Sequence, residues 1–196
     1  MATKERIVKF IKDREGGFVQ DPNDRGGATN KGITIALFRQ YFGSGRTVSD
    51  LKSITDEQWM RIFDGEFWNP LHCDLMPQWA ADVILDFAFH SGKDRAVKYA
   101  QSMCRVSADG VVGRITIDAI GRQDSKKFVE QYCELRRKYL LRIAGFDDKN
   151  EQLLRIARTA PSQINKYLSR GKNKKYISGW CVRVNTLQRK VLSGEL

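Results

Sequence analysis

Between Trp79 and His90 the chain is apolar on almost every side: Ala80, Ala81, Val83, Ile84, Leu85, Phe87, Ala88 and Phe89 leave Asp82 and Asp86 as the polar interruptions. A helix with one apolar stripe can lie on a surface, but a helix apolar all round has to be enclosed. The stretch is well short of the roughly 20 apolar residues of a bilayer span, and no other run reaches that length. It predicts the central helix of a bundle, and the rest of the chain must supply the helices that surround it. A carboxylate inside such a helix is costly unless it is bonded. Asp86 therefore either anchors a neighbouring backbone group or an arginine, or contacts a substrate.

The surrounding helices are legible as stripes. Residues 3–14 carry Ile7, Val8, Phe10 and Ile11 on one face with Lys and Arg opposite, and Gly16-Gly17 supplies a stop. Residues 36–42 form a short helix with Leu37, Phe38 and Tyr41 inward, closed by Gly43-Ser44-Gly45. Thr55-Asp56-Glu57-Gln58 has the pattern of a capping box. It opens a helix bearing Trp59, Ile62, Phe63 and Phe67 that ends near Trp68-Asn69-Pro70. Further helices are expected over 95–103, 115–120, 127–143 and 151–160. In the third of these, Phe128, Tyr132, Leu135, Tyr139 and Ile143 turn inward. A final helix over 176–192 carries Ile177, Trp180, Val184, Leu187 and Val191. Residues 18–34 have no such period, hold Pro22 and several Gly, Asp and Asn residues, and read as a loop with a small hairpin. The fold class is mainly α, with this loop or β-hairpin insertion after the first helix.

The candidate chemistry sits where that insertion begins. Glu15 stands at the C-terminal end of the first helix, where the negative end of the dipole disfavours a carboxylate by ~0.3–1 kcal/mol. Burial against Phe18 or a neighbouring aromatic acts in the same direction. Both effects raise a carboxyl pKa, which suits a general acid near neutral pH. Gly16 and Gly17 leave the carboxylate unshielded, so a substrate can approach closely. Position alone also describes an exposed helix-end residue paired with Arg14 or Arg25. The residues that follow add to the catalytic reading, because Asp24 lies nine residues on and Thr29, Asn30 and Thr34 come close behind. A glycosidase needs one group to protonate the leaving oxygen and a second to stabilise the cation or activate water. Asp24 also suits a turn, Asp21-Pro22-Asn23-Asp24, for purely local reasons.

Charge narrows the partners. The formal net charge is +11, and between Gln152 and Gly194 there are ten Lys or Arg and no Asp or Glu. Such a surface attracts polyanions: nucleic acid, an anionic membrane or an anionic cell wall. A solvated basic face has the same composition. No RNP-like motif or zinc-finger spacing is present, so nucleic acid is not expected. Cys73, Cys104, Cys133 and Cys181 are widely spaced with no CxxC, so they are read as buried free thiols, with neither metal nor cofactor expected. Met1 to Arg6 leads into an amphipathic pattern with no apolar signal core, which predicts synthesis in the cytoplasm and help in reaching any outside site.

Glu15-Gly16-Gly17-Phe18, Asp21-Pro22-Asn23-Asp24 and Gly26-Gly27-Ala28-Thr29-Asn30-Lys31-Gly32-Ile33-Thr34 resemble the signature of the glycoside hydrolase 108 family, bacterial and phage N-acetylmuramidases with a lysozyme-like fold. Phe67-Trp68-Asn69-Pro70-Leu71 resembles that family's aromatic-Trp-x-Pro segment, and Asp86-Phe87-Ala88-Phe89-His90-Ser91-Gly92 the end of its central helix. Ala108-Asp109-Gly110-Val111-Val112-Gly113 and Gly179-Trp180-Cys181-Val182-Arg183-Val184 resemble its C-terminal half, described as a predicted peptidoglycan-binding region. The resemblance runs along most of the chain in the same order. Two positions depart from it: His90 stands where the family usually has Asn, and Arg114 where it usually has Pro.

The resemblance implies a lysozyme-like catalytic part over 1–92 and a helical peptidoglycan-binding part over 93–196, packed as one globular unit. It implies Glu15 as the general acid in hydrolysis of the β-1,4 bond between N-acetylmuramic acid and N-acetylglucosamine. Asp24 is the first candidate for the second catalytic group, with Thr29, Asn30 and Thr34 as alternatives and substrate contacts. His90 either lines the cleft and bonds a sugar or caps its helix, and Asp86 keeps its two readings. The spacing of Glu15 and Asp24 also resembles phage lysozymes with a Glu, an Asp nine later and a Thr six beyond. Here the third position is Asn30, beside Thr29, which leaves open a nucleophile, an activated water or electrostatic stabilisation. The implied partners are peptidoglycan glycan strands, and the implied settings are an endolysin released through a holin or a muramidase that assists a secretion system, acting at the wall as a monomer. A non-catalytic basic module binding wall or another polyanion is the alternative, but it leaves the Glu15-Gly16-Gly17 loop without a purpose.

Overall fold

The helical stripes become helices close to their expected places. The computed structural model of the chain describes residues 1–20, 27–167 and 173–196. The chain divides into two units, one of residues 4–71 and one of residues 1–3 with 72–196.

In the first unit, α1 (Glu5–Lys12) buries Ile7, Val8, Phe10 and Ile11. Its hydrogen bonding outlasts it: the Asp13 amide reaches the Lys9 carbonyl, and the Arg14 and Glu15 amides reach that of Ile11, at 2.9–3.0 Å. After the loop, β1 (Thr29–Asn30) and β2 (Ile33–Thr34) form a two-stranded antiparallel hairpin, pairing Thr29 with Thr34 and Asn30 with Ile33. Lys31 and Gly32 between them both have positive φ, 49° and 77°, the twist that a two-residue hairpin turn requires. For Lys31 that backbone is unusual, and its carbonyl is held by the buried Trp59 Nε1–H at 2.9 Å. Helix α2 (Ile35–Phe42) starts on a Thr34 cap. Helix α3 (Val48–Lys52) starts on a reciprocal Thr47–Asp50 capping box. Helix α4 (Asp56–Phe63) has the expected box between Thr55 and Gln58. The sequence pattern runs one helix on through Phe67; the structure instead widens it into a π-turn over Asp64–Trp68, closed by the Asn69 amide on the Asp64 carbonyl at 3.0 Å. Ile7, Ile11, Ile33, Phe38, Leu51, Trp59, Ile62 and Phe63 form the core of this unit.

The second unit is a helical bundle. A 3₁₀ turn (Cys73–Leu75) leads into α5 (Gln78–Ser91), followed by α6 (Lys93–Met103), α7 (Arg114–Gly121), α8 (Ser125–Ile143) and α9 (Glu151–Thr159). A second 3₁₀ turn (Pro161–Tyr167) precedes α10 (Lys174–Ser193). Helix α5 is buried from Ala80 to Ala88 and packs on α6, α8 and α10, the central place its composition demands. The Phe87 ring lies 5.7–5.9 Å from those of Tyr99, Tyr132 and Tyr139. Burial of one such aromatic contributes about 1.5–3 kcal/mol.

Helix α8 differs from its expected stripe. Leu135 and Ile143 are only half-buried, while Arg136 and Arg137 are enclosed. Arg137 is held by Asn185 and Gln188 of α10, and Arg136 by Asp86. The link between α6 and α7 is ordered by buried Gln101. Its side chain bonds Asp109 Oδ1, the Val111 carbonyl and the Gly110 amide at 2.7–2.9 Å. The Val111 amide and Gln101 hold the Asp109 carboxyl below the usual range. The four cysteines are free, with Cys73, Cys133 and Cys181 buried. Burial pushes the Cys133 thiol up to about 11 and that of Cys181 to about 12, so neither is a thiolate at neutral pH. Among the described residues no helix is long and apolar enough to cross a membrane.

Candidate active site

Glu15 is the third residue past the end of α1, half-buried, with its amide still bonded to the helix. Its position is therefore set by α1 rather than by the loop. The Arg14 guanidinium lies 3.6 Å from the centre of the Phe10 ring and donates to the Phe10 carbonyl at 3.3 Å. Gly16 and Gly17 are exposed, neither has a positive φ, and a Cβ on either would meet no described atom within 4 Å. Among the described residues, neither backbone strain nor packing demands a glycine at either position.

Downstream of the glycines, Val19 and Thr29 exchange two backbone hydrogen bonds of 2.8 Å. That bridge ties the segment after Glu15 to the hairpin. Asn30 and Ile33 form the buried face of the hairpin. The Asn30 amide group donates to the carbonyls of Leu51 and Lys52 at 3.0 and 2.9 Å, so its side chain closes the C-terminal end of α3. Thr34 accepts from the Leu37 amide as the cap of α2. Thr29 is half-buried on the opposite face, and no hydrogen bond among the described residues engages its hydroxyl. Asp24 and Arg25 lie outside the described residues.

The two residues expected from the central helix sit in the second unit. Asp86 is fully buried, with Arg136 Nη1 at 2.5 Å on one oxygen and Arg183 Nη2 at 2.8 Å and Nε at 3.0 Å on the other. Burial on its own would raise its pKa; Arg183 and Arg136 outweigh it and hold the carboxyl well below the usual carboxylate range. Both oxygens are taken by guanidinium groups, so Asp86 presents none to a sugar. Of its two expected roles the substrate contact is therefore replaced by the anchor: the side chain ties α5 to α8 and α10. Spacing carried a signal for this, since Phe128, Tyr132 and Arg136 fall every fourth residue on one face of α8. An arginine on an apolar face and an aspartate in an apolar helix invite each other. Two nitrogens of Arg136, Nε and Nη2, are buried without a hydrogen-bond partner among the described residues.

His90 lies one turn beyond Asp86, half-buried, its Nδ1 3.0 Å from the Ser91 hydroxyl and its ring edge-on to Trp180 at 5.8 Å. Burial, with Arg136 and Arg183 nearby, pushes its pKa down to about 3, so the ring is neutral at neutral pH. Trp180 in turn stacks on Tyr176 at 5.7 Å, and Tyr176 is exposed. Among the described residues no three His, Cys, Asp or Glu gather to hold a metal.

Residues 8–92 match the family described as Glycosyl hydrolase 108, and residues 95–185 match one described as a predicted peptidoglycan domain. Among solved structures, the chain is similar to SagA of Brucella abortus, at 28% identity and a TM-score of 0.72, over 98% of this chain and 97% of that one. A search of curated proteins gives no match. The fold is mainly α and lysozyme-like; residues 8–92, with Glu15 and its loop, match glycosyl hydrolase 108, and residues 95–185, with α7 and α8, match the predicted peptidoglycan domain, which together indicate a glycoside hydrolase acting on peptidoglycan.

Proposed function

We propose that the chain is an N-acetylmuramidase that hydrolyses the β-1,4 bond between N-acetylmuramic acid and N-acetylglucosamine, with Glu15 as general acid. The observation that carries this reading is Glu15 itself, anchored through its backbone to α1 and followed by two exposed glycines that no described contact requires. A rigidly based carboxyl beside open backbone lets a glycosidic oxygen come within proton-transfer distance. In its productive form Glu15 is protonated and gives that proton to the leaving oxygen. The second group is drawn from Asp24 and Thr29. Asn30 and Thr34 are less suited, because their side chains already serve α3 and α2. In this reading residues 1–92 do the chemistry and residues 93–196 hold the wall. The setting is an endolysin released through a holin or a muramidase that assists secretion.

The test compares wild type and Glu15→Gln on isolated peptidoglycan, followed by turbidity and released reducing ends. A general acid is worth about 10²–10⁴-fold. The expected outcome is a loss in that range with an unchanged melting temperature. Equal clearance by both proteins would remove Glu15 from the mechanism. Failure of both to clear, with both sedimenting on the wall, would favour the binding-module alternative.

A further inference from the structure

A cavity of about 490 Å³ lies where the C-terminal ends of α6 and α7 meet the start of α8, within the part of the chain matched by the peptidoglycan domain. Arg105, Arg122 and Lys127 line it, together with Gln123, Asp124 and Gln131. The three cations face one carboxylate, and Asp124 is already engaged as the cap of α8, accepting from the Lys127 amide at 2.8 Å. No ion pair among the described residues neutralises Arg105, Arg122 or Lys127. The cavity therefore holds an excess of positive charge beside uncharged amide groups, which is a receptor for an anion with further polar groups attached.

Arg105 adds an independent observation. Helix α6 ends in a turn in which the Val106 amide returns to the Gln101 carbonyl at 3.1 Å and Arg105 takes the left-handed backbone, φ 58°. Glycine is the usual residue at that place, since any side chain there is strained. An arginine held there against its backbone preference, with its side chain lining the cavity, fits a residue kept for what its guanidinium binds. Glycan strands carrying peptides have no free carboxylate on their sugars, because the lactyl group of muramic acid is spent in the amide bond. The anionic groups of the polymer are the carboxylates of the peptide stems.

We propose that the cavity formed by Arg105, Arg122 and Lys127 binds a peptide-stem carboxylate of peptidoglycan, so that the chain reads the peptide as well as the glycan. This rests on peptidoglycan being the substrate, though not on Glu15 being the acid. The experiment uses calorimetry on the full chain with a GlcNAc–MurNAc tripeptide, which lacks the bond proposed to be cut, and with the same compound amidated on its free carboxylates. Charge-assisted hydrogen bonds predict about a tenfold loss of affinity for the amidated compound and a similar loss in Arg105→Gly and in Arg122→Gln. Arg105→Gly relieves the backbone strain, so it should melt no lower than wild type, which separates lost binding from lost folding. Equal affinity for the free and amidated compounds, or wild-type affinity in Arg105→Gly and Arg122→Gln together, overturns the proposal. If Glu15→Gln keeps full hydrolysis while the calorimetric result holds, the catalytic assignment fails and the peptide site stands.

Discussion

Glu15 and its two glycines divide the work between backbone and side chain. The helix fixes where the carboxyl starts, and the glycines leave the space beside it open. Because a Cβ at Gly17 meets no described neighbour and the backbone is not left-handed, Gly17→Ala should fold as well as wild type. Loss of chain entropy in the unfolded state even favours it by about 0.4–1 kcal/mol. If the open space is for the glycan, the same methyl group should cut hydrolysis of peptidoglycan about tenfold or more. Thermal melts paired with reducing-end assays check this, and undiminished activity would leave the glycine unexplained.

His90 gives a pH-dependent prediction at the same scale. Its folded pKa lies near 3, below the ordinary value of 6.5, so as pH falls from 6.5 the unfolded chain takes up a proton that the folded chain refuses. Stability contributed through His90 is present above pH 6.5 and declines toward pH 3. His90→Asn should flatten that decline in melts run between pH 7 and pH 4. Asp86 does not mask the effect, since its own contribution disappears only as pH drops below the ordinary carboxylate value of 3.8. Of the residues singled out in the sequence, the place of Glu15 just past a helix end was legible, because a glycine pair marks such an end. The inward role of Asn30 was not, because its partners lie 21 and 22 positions away along the chain; for Asp86 an arginine anchor was one of two readings, but its two arginines lie 50 and 97 positions on.

At the scale of elements, the central helix was plain in the sequence because burial on all sides leaves no other reading. Helix α3 escaped because five residues are too few to show a period, and its capping box closes with Asp50 rather than Glu or Gln. The π-turn after α4 was equally hidden, since Phe63 and Phe67 still meet, 5.9 Å apart, as they would in a regular helix. Helices α5, α8 and α10 are tied by one buried carboxylate between two guanidinium groups. Removing that carboxylate takes the buried counter-charge away from Arg136 and Arg183, and among the described residues Arg136 has two donor nitrogens without hydrogen-bond partners already. Asp86→Asn should therefore cost about 3–5 kcal/mol in denaturant melts, as breaking a buried pair does. Replacing Asp86, Arg136 and Arg183 together by leucine or methionine should recover most of that loss. A triple variant as unstable as Asp86→Asn would show that shape, not charge balance, sets the cost.

At the scale of the whole molecule, the net charge of +11 belongs with an anionic polymer as substrate. The excess is concentrated in 152–194, where ten basic residues meet no acidic one, and most of the described ones lie on or beside α9 and α10. Such a field acts on encounter and retention at the wall, not on the chemical step. Screening separates the two. The Debye length falls from about 10 Å at 0.1 M salt to about 3 Å at 1 M. Over that range the fraction of Glu15→Gln protein that sediments with peptidoglycan should drop steeply. The turnover of wild type on a short, soluble, uncharged glycan oligomer should stay within about twofold, because the proton transfer proposed for Glu15 takes place over a distance that mobile ions do not screen. Retention that ignores salt would shift wall binding from long-range charge to contacts such as the exposed Tyr176 and its stacked neighbour Trp180.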